Sequence, residues 1–215
     1  ARVFVTASRY LQGLFGGDVL VVEGDYADFV EGVASCADYV MVIAPPPQLI
    51  EVAKRVKNRL LGPPLDVIEA LSNKYKAAIL LSRCGVKVPS TKLLCREDSI
   101  EDALRELAPP VVVKPAMLAG AECVYLAKSV SEAAEYLWKA MECDPTGCAV
   151  LQEYVSGVHG SISAVFSYSS GKPVFYSLNL QLITLRNSKL VYKGNILPIR
   201  IPLRKQQALD ILEKA

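Results

Sequence analysis

Residues 151–161 read LQEYVSGVHGS and hold the chain's only histidine, His159. An imidazole one residue before a glycine, just past a Ser-Gly turn, has three uses: general base, metal ligand, or grip on a bound molecule. Neither metal nor serine-hydrolase chemistry has support nearby. No Cys/His/Asp cluster surrounds it in sequence, and no G-x-S-x-G occurs. Two lysines are the other candidates. In VVVKP, Pro115 disfavours the helical region for Lys114 and keeps it extended at the end of an apolar strand. A cation there is costly unless an anion such as a phosphate pairs with it, or unless the side chain snorkels to water. In SNKYK, Lys74 occupies the first turn of a predicted helix. The macrodipole slightly disfavours a cation there, so either an anion lies close or the ammonium is solvated.

The segment before His159 has a chemistry of its own. Leu151, Glu153 and Val155 alternate with Gln152 and Tyr154. A strand leaving one sheet for another presents backbone N–H and C=O groups that can recognise a flat heterocycle by its edge. The stretch LAGAE has one glycine, Gly120, and matches neither a P-loop nor G-x-G-x-x-G. Taken alone it is a turn between strands.

The elements that must position these groups alternate along the chain. RVFVTA, DVLVVEG and DYVMVIAP are β-branched runs, with a helical pattern at Phe29, Val30 and Val33 between them. A longer helix follows the proline triplet and runs to Gly62, and LGPPLDVIEALS leads the chain onward. Residues 1–70 therefore form a small parallel α/β unit. Next come a helix capped by Ser72 or Asn73 and closed by Gly85, an extended KVPSTKLL and the capped helix SIEDALREL. Strands PPVVVKPA and ECVYLAK precede a helix with Ser129 and Glu132 at capping-box spacing, and AVLQEYV is again a strand. From Ile162 onward the pattern is an antiparallel meander with turns at SSGK and RNSK.

Composition narrows the field. The chain has 215 residues, 52% hydrophobic and 21% charged, with a net charge of +2. That is a globular composition, too weakly charged to argue for nucleic acid. No apolar run reaches membrane-span length and no signal peptide is visible, so a cytoplasmic location is expected. Six cysteines lack C-x-x-C spacing. They are expected as reduced, buried thiols, with a Cys143–Cys148 disulfide as the alternative.

In their order and spacing these pieces resemble the ATP-grasp superfamily: SNKYKAAILLSRCGVKVPST, PPVVVKP, a short glycine-bearing loop, VYLAKSVSEA and VLQEYVSGVHGSISAVF, over about residues 72–170. PVFYSLNLQLITLRNSKLVYKGNILPI resembles the archaeal ligases of the tyramine–glutamate ligase type. The resemblance implies a mixed α/β fold: a pre-domain over 1–70, a small lid domain over 71–155 and the start of an antiparallel large domain over 156–215.

It also implies ATP-dependent joining of a small-molecule carboxylate to an amine through an acyl phosphate, with Mg²⁺. Lys74 and Lys114 match the phosphate-binding lysines, and Gly120 stands where the phosphate-covering loop should be. Gln152, Glu153, Tyr154 and Val155 match the adenine-reading linker, where the backbones of Glu153 and Val155 would meet the base edge. His159 matches a ribose contact, and Arg200 is a candidate catalytic residue facing the site.

The chain departs from the pattern in three places. Met117 and Leu118 replace the usual Asp-Gly, and Leu180 stands where the archaeal ligases have arginine. The family's metal-binding Asp and Glu-x-Asn segment have no counterpart before Ala215, so the large domain is expected to be incomplete. Two rivals remain: a nucleotide-biosynthesis ligase or carboxylase on the same fold, and an ATP-binding regulatory protein that has lost catalysis. A homodimer stays open, since no exposed apolar stripe marks an interface.

Overall fold

The computed structural model describes residues 4–6, 19–22, 25–167, 169–199 and 205–214. Contacts divide the chain into two compact units, Ala1–Ala70 and Leu71–Ala215.

In the first unit, strands β1 (Phe4–Thr6) and β2 (Val19–Val21) pair in parallel. Helix α1 (Tyr26–Ala34) starts where the Asp25 carboxylate accepts the N–H groups of Ala27 and Asp28, both at 2.9 Å. Helix α2 (Pro46–Val56) begins inside the proline triplet, where a missing N–H costs nothing. Its Val52 and Val56 pack with Ala27, Val30 and Ala34 of α1.

Two expectations are corrected here. Helix α2 stops at Val56 and a 3₁₀ turn, Lys57–Arg59, follows, so the helix does not reach Gly62. The run DYVMVIAP makes one parallel bridge, Val40 to Leu60, in place of a full strand. Its alternation is sound, since Val40 and Val42 pack inward while Tyr39, Met41 and Ile43 are exposed. The prolines that follow lack the N–H groups needed to extend the ladder. The connecting LGPPLDVIEALS contains helix α3 (Leu65–Ser72).

The second unit is built on seven strands in the order β3-β6-β4-β5-β9-β8-β7, every neighbouring pair antiparallel. The strands are β3 (Thr91–Cys95), β4 (Val111–Pro115), β5 (Tyr125–Ala127), β6 (Cys148–Glu153), β7 (Gly160–Phe166), β8 (Pro173–Arg186) and β9 (Lys189–Ile196). The junction of β5 with β9 is narrow: one residue pair, Tyr125 opposite Lys189. It is closed by hydrogen bonds from Leu126 N–H to Ser188 O and from Leu190 N–H to Val124 O, each 2.8 Å. The meander β7–β9 forms as the turn signals require; Asn187 and Ser188 take the positive φ of a tight hairpin (47° and 62°).

The helices of this unit carry the expected caps. Asn73 accepts from Tyr75 N–H (3.0 Å) and Lys76 N–H (3.1 Å) to start α4 (Lys74–Arg83), and Gly85 ends it at φ +75°. Ser99 caps α5 (Ile100–Glu106). Ser129 caps α6 (Val130–Cys143), while Glu132 reaches back to Lys128 N–H at 2.7 Å. A last helix, α7, spans Lys205–Lys214.

Ala133, Leu137, Ala140 and Met141 lie along one face of α6 and pack with Leu94, Val111, Val113, Ala127, Ala149 and Leu151 of the sheet. Each fully buried Leu or Val side chain contributes about 1.5–3 kcal/mol relative to exposure. This face anchors the sheet, and residues one position out of phase on β3, β4 and β6 are left for other work.

The cysteines overturn the expectation of reduced thiols and of a Cys143–Cys148 bond. The disulfides are Cys95–Cys148 and Cys123–Cys143. Cys148 faces Cys95 directly across β3 and β6, which leaves Cys143 to the loop cysteine, Cys123. Cys36 and Cys84 are free and exposed. Among the described residues, no helix is long and apolar enough to cross a membrane.

Candidate functional site

The pairing of β3, β6 and β4 decides which side chains meet. Thr91 lies opposite Gln152, Gln152 opposite Val112, and Val150 opposite Lys114. Thr91, Gln152, Val112 and Lys114 therefore share the sheet face away from α6, and all four are half-buried. Lys114 Nζ donates to Gln152 Oε1 at 2.7 Å, and Gln152 Nε2 donates to Thr91 Oγ1 at 2.7 Å. This relay fixes the direction of the Lys114 ammonium. Burial lowers its pKa.

Lys74 joins the same site from α4. Its N–H donates to Ala116 O at 2.9 Å, which docks the start of the helix on the segment leaving β4. Its ammonium donates to Pro115 O at 2.8 Å and also to Leu118 O. Burial first, and then the nearby Lys114 charge, push the Lys74 pKa down from 10.5 to about 8, against the opposing charge of Asp144. Among the described residues neither ammonium forms an ion pair with a carboxylate. Two half-buried cations that repel each other, with no carboxylate in direct contact, suit an anion, since one placed between them offsets that cost.

Gly120 lies at φ +72° at the exposed tip of the loop 116–124 between β4 and β5, a conformation that glycine adopts without strain. At the end of β6, Glu153 N–H donates to Ser90 O at 2.9 Å, and the Glu153 carboxylate accepts from Ser90 N–H at 3.2 Å. Tyr154 N–H donates to Pro110 O at 3.3 Å. The next N–H, on Val155, has no partner among the described residues. The Gln152 carboxamide is committed to Lys114 and Thr91. His159 is half-exposed; its carbonyl accepts Gln181 N–H at 2.9 Å. Gly160 follows where a Cβ would stand 3.2 Å from Asn179 O. Arg200 lies outside the described residues.

The structure thus brings Lys74, Lys114 and Gln152 together and leaves Val155 and His159 on the segment that leads from β6 to β7. Sequence reasoning missed two members. Thr91 orients Gln152, and nothing local to Thr91 announces that. Asp144 is buried at 5% exposure and accepts Met117 N–H at 2.7 Å. Its only local sign is the turn sequence DPTG.

The lysine pair and the bare Val155 N–H fit a nucleotide: phosphates at one end, a heterocycle edge at the other. Among the described residues no group of three His, Cys, Asp or Glu side chains converges.

Known proteins bear the same arrangement of elements. The chain is 27% identical over 97 residues to the carbamoyl phosphate synthase large chain of Saccharolobus islandicus, which is 45% of this chain and 9% of that protein. Among solved structures, the D-alanine–D-alanine ligase of Bacillus anthracis superposes with a TM-score of 0.67 at 18% identity, over 91% of this chain and 67% of that one. The N5-carboxyaminoimidazole synthetase of Staphylococcus aureus, solved with ADP, superposes with a TM-score of 0.71 at 16% identity, over 99% and 55%. The chain therefore spans between half and two thirds of these solved proteins and a small part of the curated relative. A family profile described as an ATP-grasp domain matches residues 71–215, and by that match the chain belongs to the ATP-grasp family.

Proposed function

We propose that the protein is an ATP-dependent ligase that joins a small-molecule carboxylate to an amine. The observation that carries this is the Lys74–Lys114 pair: two half-buried ammonium groups, oriented by Pro115 O and by Gln152, with no carboxylate in ion-pair contact with either among the described residues. ATP supplies a phosphoryl group that turns a carboxylate into an acyl phosphate open to attack by an amine. Lys114 holds phosphate oxygens through its fixed ammonium, and Lys74 holds them from the helix start and the loop. Their charge offsets the charge that spreads over the phosphate oxygens during transfer. Val155 N–H and the backbone of Glu153 read adenine, and His159 grips the ribose. The small lid domain is residues 71–155 and the large domain begins at 156. Magnesium enters the proposal as the metal expected of the ATP-grasp family.

The decisive measurement is ADP release by the full-length protein, screened against amino acids and amines with Mg²⁺. Turnover with one acid–amine pair supports the proposal. Tight ATP binding without turnover on any acceptor transfers support to a regulatory nucleotide binder. The tyramine–glutamate type of ligase is the first pair to test, because β8 and β9 carry that likeness. A second reading has its own observation: the match to a carbamoyl phosphate synthase large chain. Under that reading bicarbonate, and no amine, raises ADP release.

If His159 only grips ribose, His159→Ala raises KM for ATP by about three- to tenfold, the worth of one modest hydrogen bond, and changes kcat less. A collapse of kcat at unchanged KM returns His159 to the chemistry.

A further inference from the structure

The loop 116–124 carries the two features that set the Lys74 ammonium: it follows Pro115, whose carbonyl accepts Lys74 Nζ at 2.8 Å, and it contains Leu118, whose carbonyl accepts it too. Both ends of this loop are held by two consecutive residues at the C-terminal end of α6. At the entry, Asp144 Oδ2 accepts Met117 N–H at 2.7 Å. At the exit, Cys143 is bonded to Cys123. Between these points Gly120, Ala121 and Cys123 all have positive φ (72°, 60° and 51°). Ala121 and Cys123 would not choose that conformation unaided. Asp144 is nearly fully buried, and its second oxygen accepts Thr146 N–H at 2.9 Å and the Thr146 hydroxyl. It has donors on both oxygens, so its shape as well as its charge is used.

We propose that Cys143 and Asp144 are positioning residues for nucleotide binding, which clamp the loop 116–124 at both ends and through its carbonyls aim Lys74 at the phosphates. The inference rests on the nucleotide-binding proposal above. It assigns no chemistry to either residue. Asp144 acts in two ways: by holding Met117, and by facing the Lys74 charge, whose other charged neighbour is Lys114. The Cys123–Cys143 bond acts only mechanically. Its reduction by a dithiol would leave two thiols and an oxidised reductant, and would free the exit of the loop.

The test is ADP binding to the full-length protein by titration calorimetry between pH 7 and pH 9.5. Asp144→Asn keeps one acceptor oxygen, and the two Thr146 donors outcompete the single Met117 N–H for it, so Met117 loses its acceptor; ADP affinity falls about tenfold, as for one hydrogen bond to a charged group. Its alkaline loss of affinity also moves to lower pH, because Lys74 has lost the charge that favours its protonated form. Cys123→Ser with Cys143→Ser lowers affinity severalfold and leaves the pH profile in place. Thr146→Ala lowers the unfolding midpoint but keeps affinity within about twofold, since it spares the bond to Met117. The inference is overturned if Asp144→Asn and the double serine variant bind ADP like the wild type. It is equally overturned if Thr146→Ala loses as much affinity as Asp144→Asn. Should Asp144→Asn fail to fold, the double serine variant decides alone. A wild-type protein that binds no ADP at any pH brings down the nucleotide proposal itself, and this inference with it.

Discussion

Lys114→Met weakens ATP and ADP binding at least thirtyfold and leaves the unfolding midpoint unchanged or higher. Removing one partner of a buried charged pair costs about 2–5 kcal/mol, and about 1.4 kcal/mol is a factor of ten. The stability half of the result follows from the free protein. There the ammonium is half-buried, burial already lowers its pKa, and its one hydrogen-bond partner among the described residues is the neutral Gln152. An uncharged side chain of similar length relieves that desolvation while Gln152 keeps Thr91. Calorimetric titration and thermal unfolding of the same samples check both halves. A structural lysine would show the reverse: unchanged affinity and a lower midpoint.

The second large effect is on pH. The Lys74 pKa is near 8 in the free protein, below the ordinary 10.5. Above pH 8 the site must take up a proton before it can hold phosphates with two cations. ADP affinity is therefore flat near pH 7 and falls by up to tenfold per pH unit beyond about 8.5, the limit for uptake of one proton. Stability responds in the opposite sense. Between the folded value near 8 and the unfolded value near 10.5, the unfolded chain binds more protons at Lys74, so the contribution of this residue to stability rises with pH across that window. Lys74→Arg keeps its charge at every accessible pH and removes the alkaline fall in affinity. The comparison of wild type, Lys74→Arg and Lys74→Met by titration and by denaturation at pH 7.5 and 9.5 isolates this group from the other lysines. An affinity that is flat to pH 9.5 in the wild type places the cation of the site elsewhere.

Much of the local structure was legible because its causes are local. Asn73, Ser99 and Ser129 satisfy helix N–H groups within three residues of themselves, and Gly85 supplies the left-handed end of α4. The α6 stripe of Ala133, Leu137, Ala140 and Met141 is a single-helix pattern, and the β7–β9 hairpins announce themselves by their turns. Errors arose where the decisive partner lies far along the chain. DYVMVIAP has strand composition but, among the described residues, pairs only with Leu60, and the chain leaves α2 through a 3₁₀ turn that brings Leu60 to Val40. The disulfide pairing is illegible in sequence for the same reason, since Cys95 and Cys148 are 53 residues apart yet directly opposed across two strands.

The site divides along the same line. By itself the sequence determined which residue types were available: a lysine held extended before Pro115, a lysine at the start of α4, and the strand end Gln152–Val155. Those follow from backbone restrictions acting over a few residues. Only the tertiary structure decided that Lys114 is aimed by Gln152 and Thr91, that Lys74 reaches the carbonyls of Pro115 and Leu118, and that Asp144 holds the loop between them. Strand register brings Lys114, Gln152 and Thr91 together across 38 and 61 residues of chain, and the docking of α4 and of the end of α6 brings in Lys74 and Asp144; both are properties of the assembled unit.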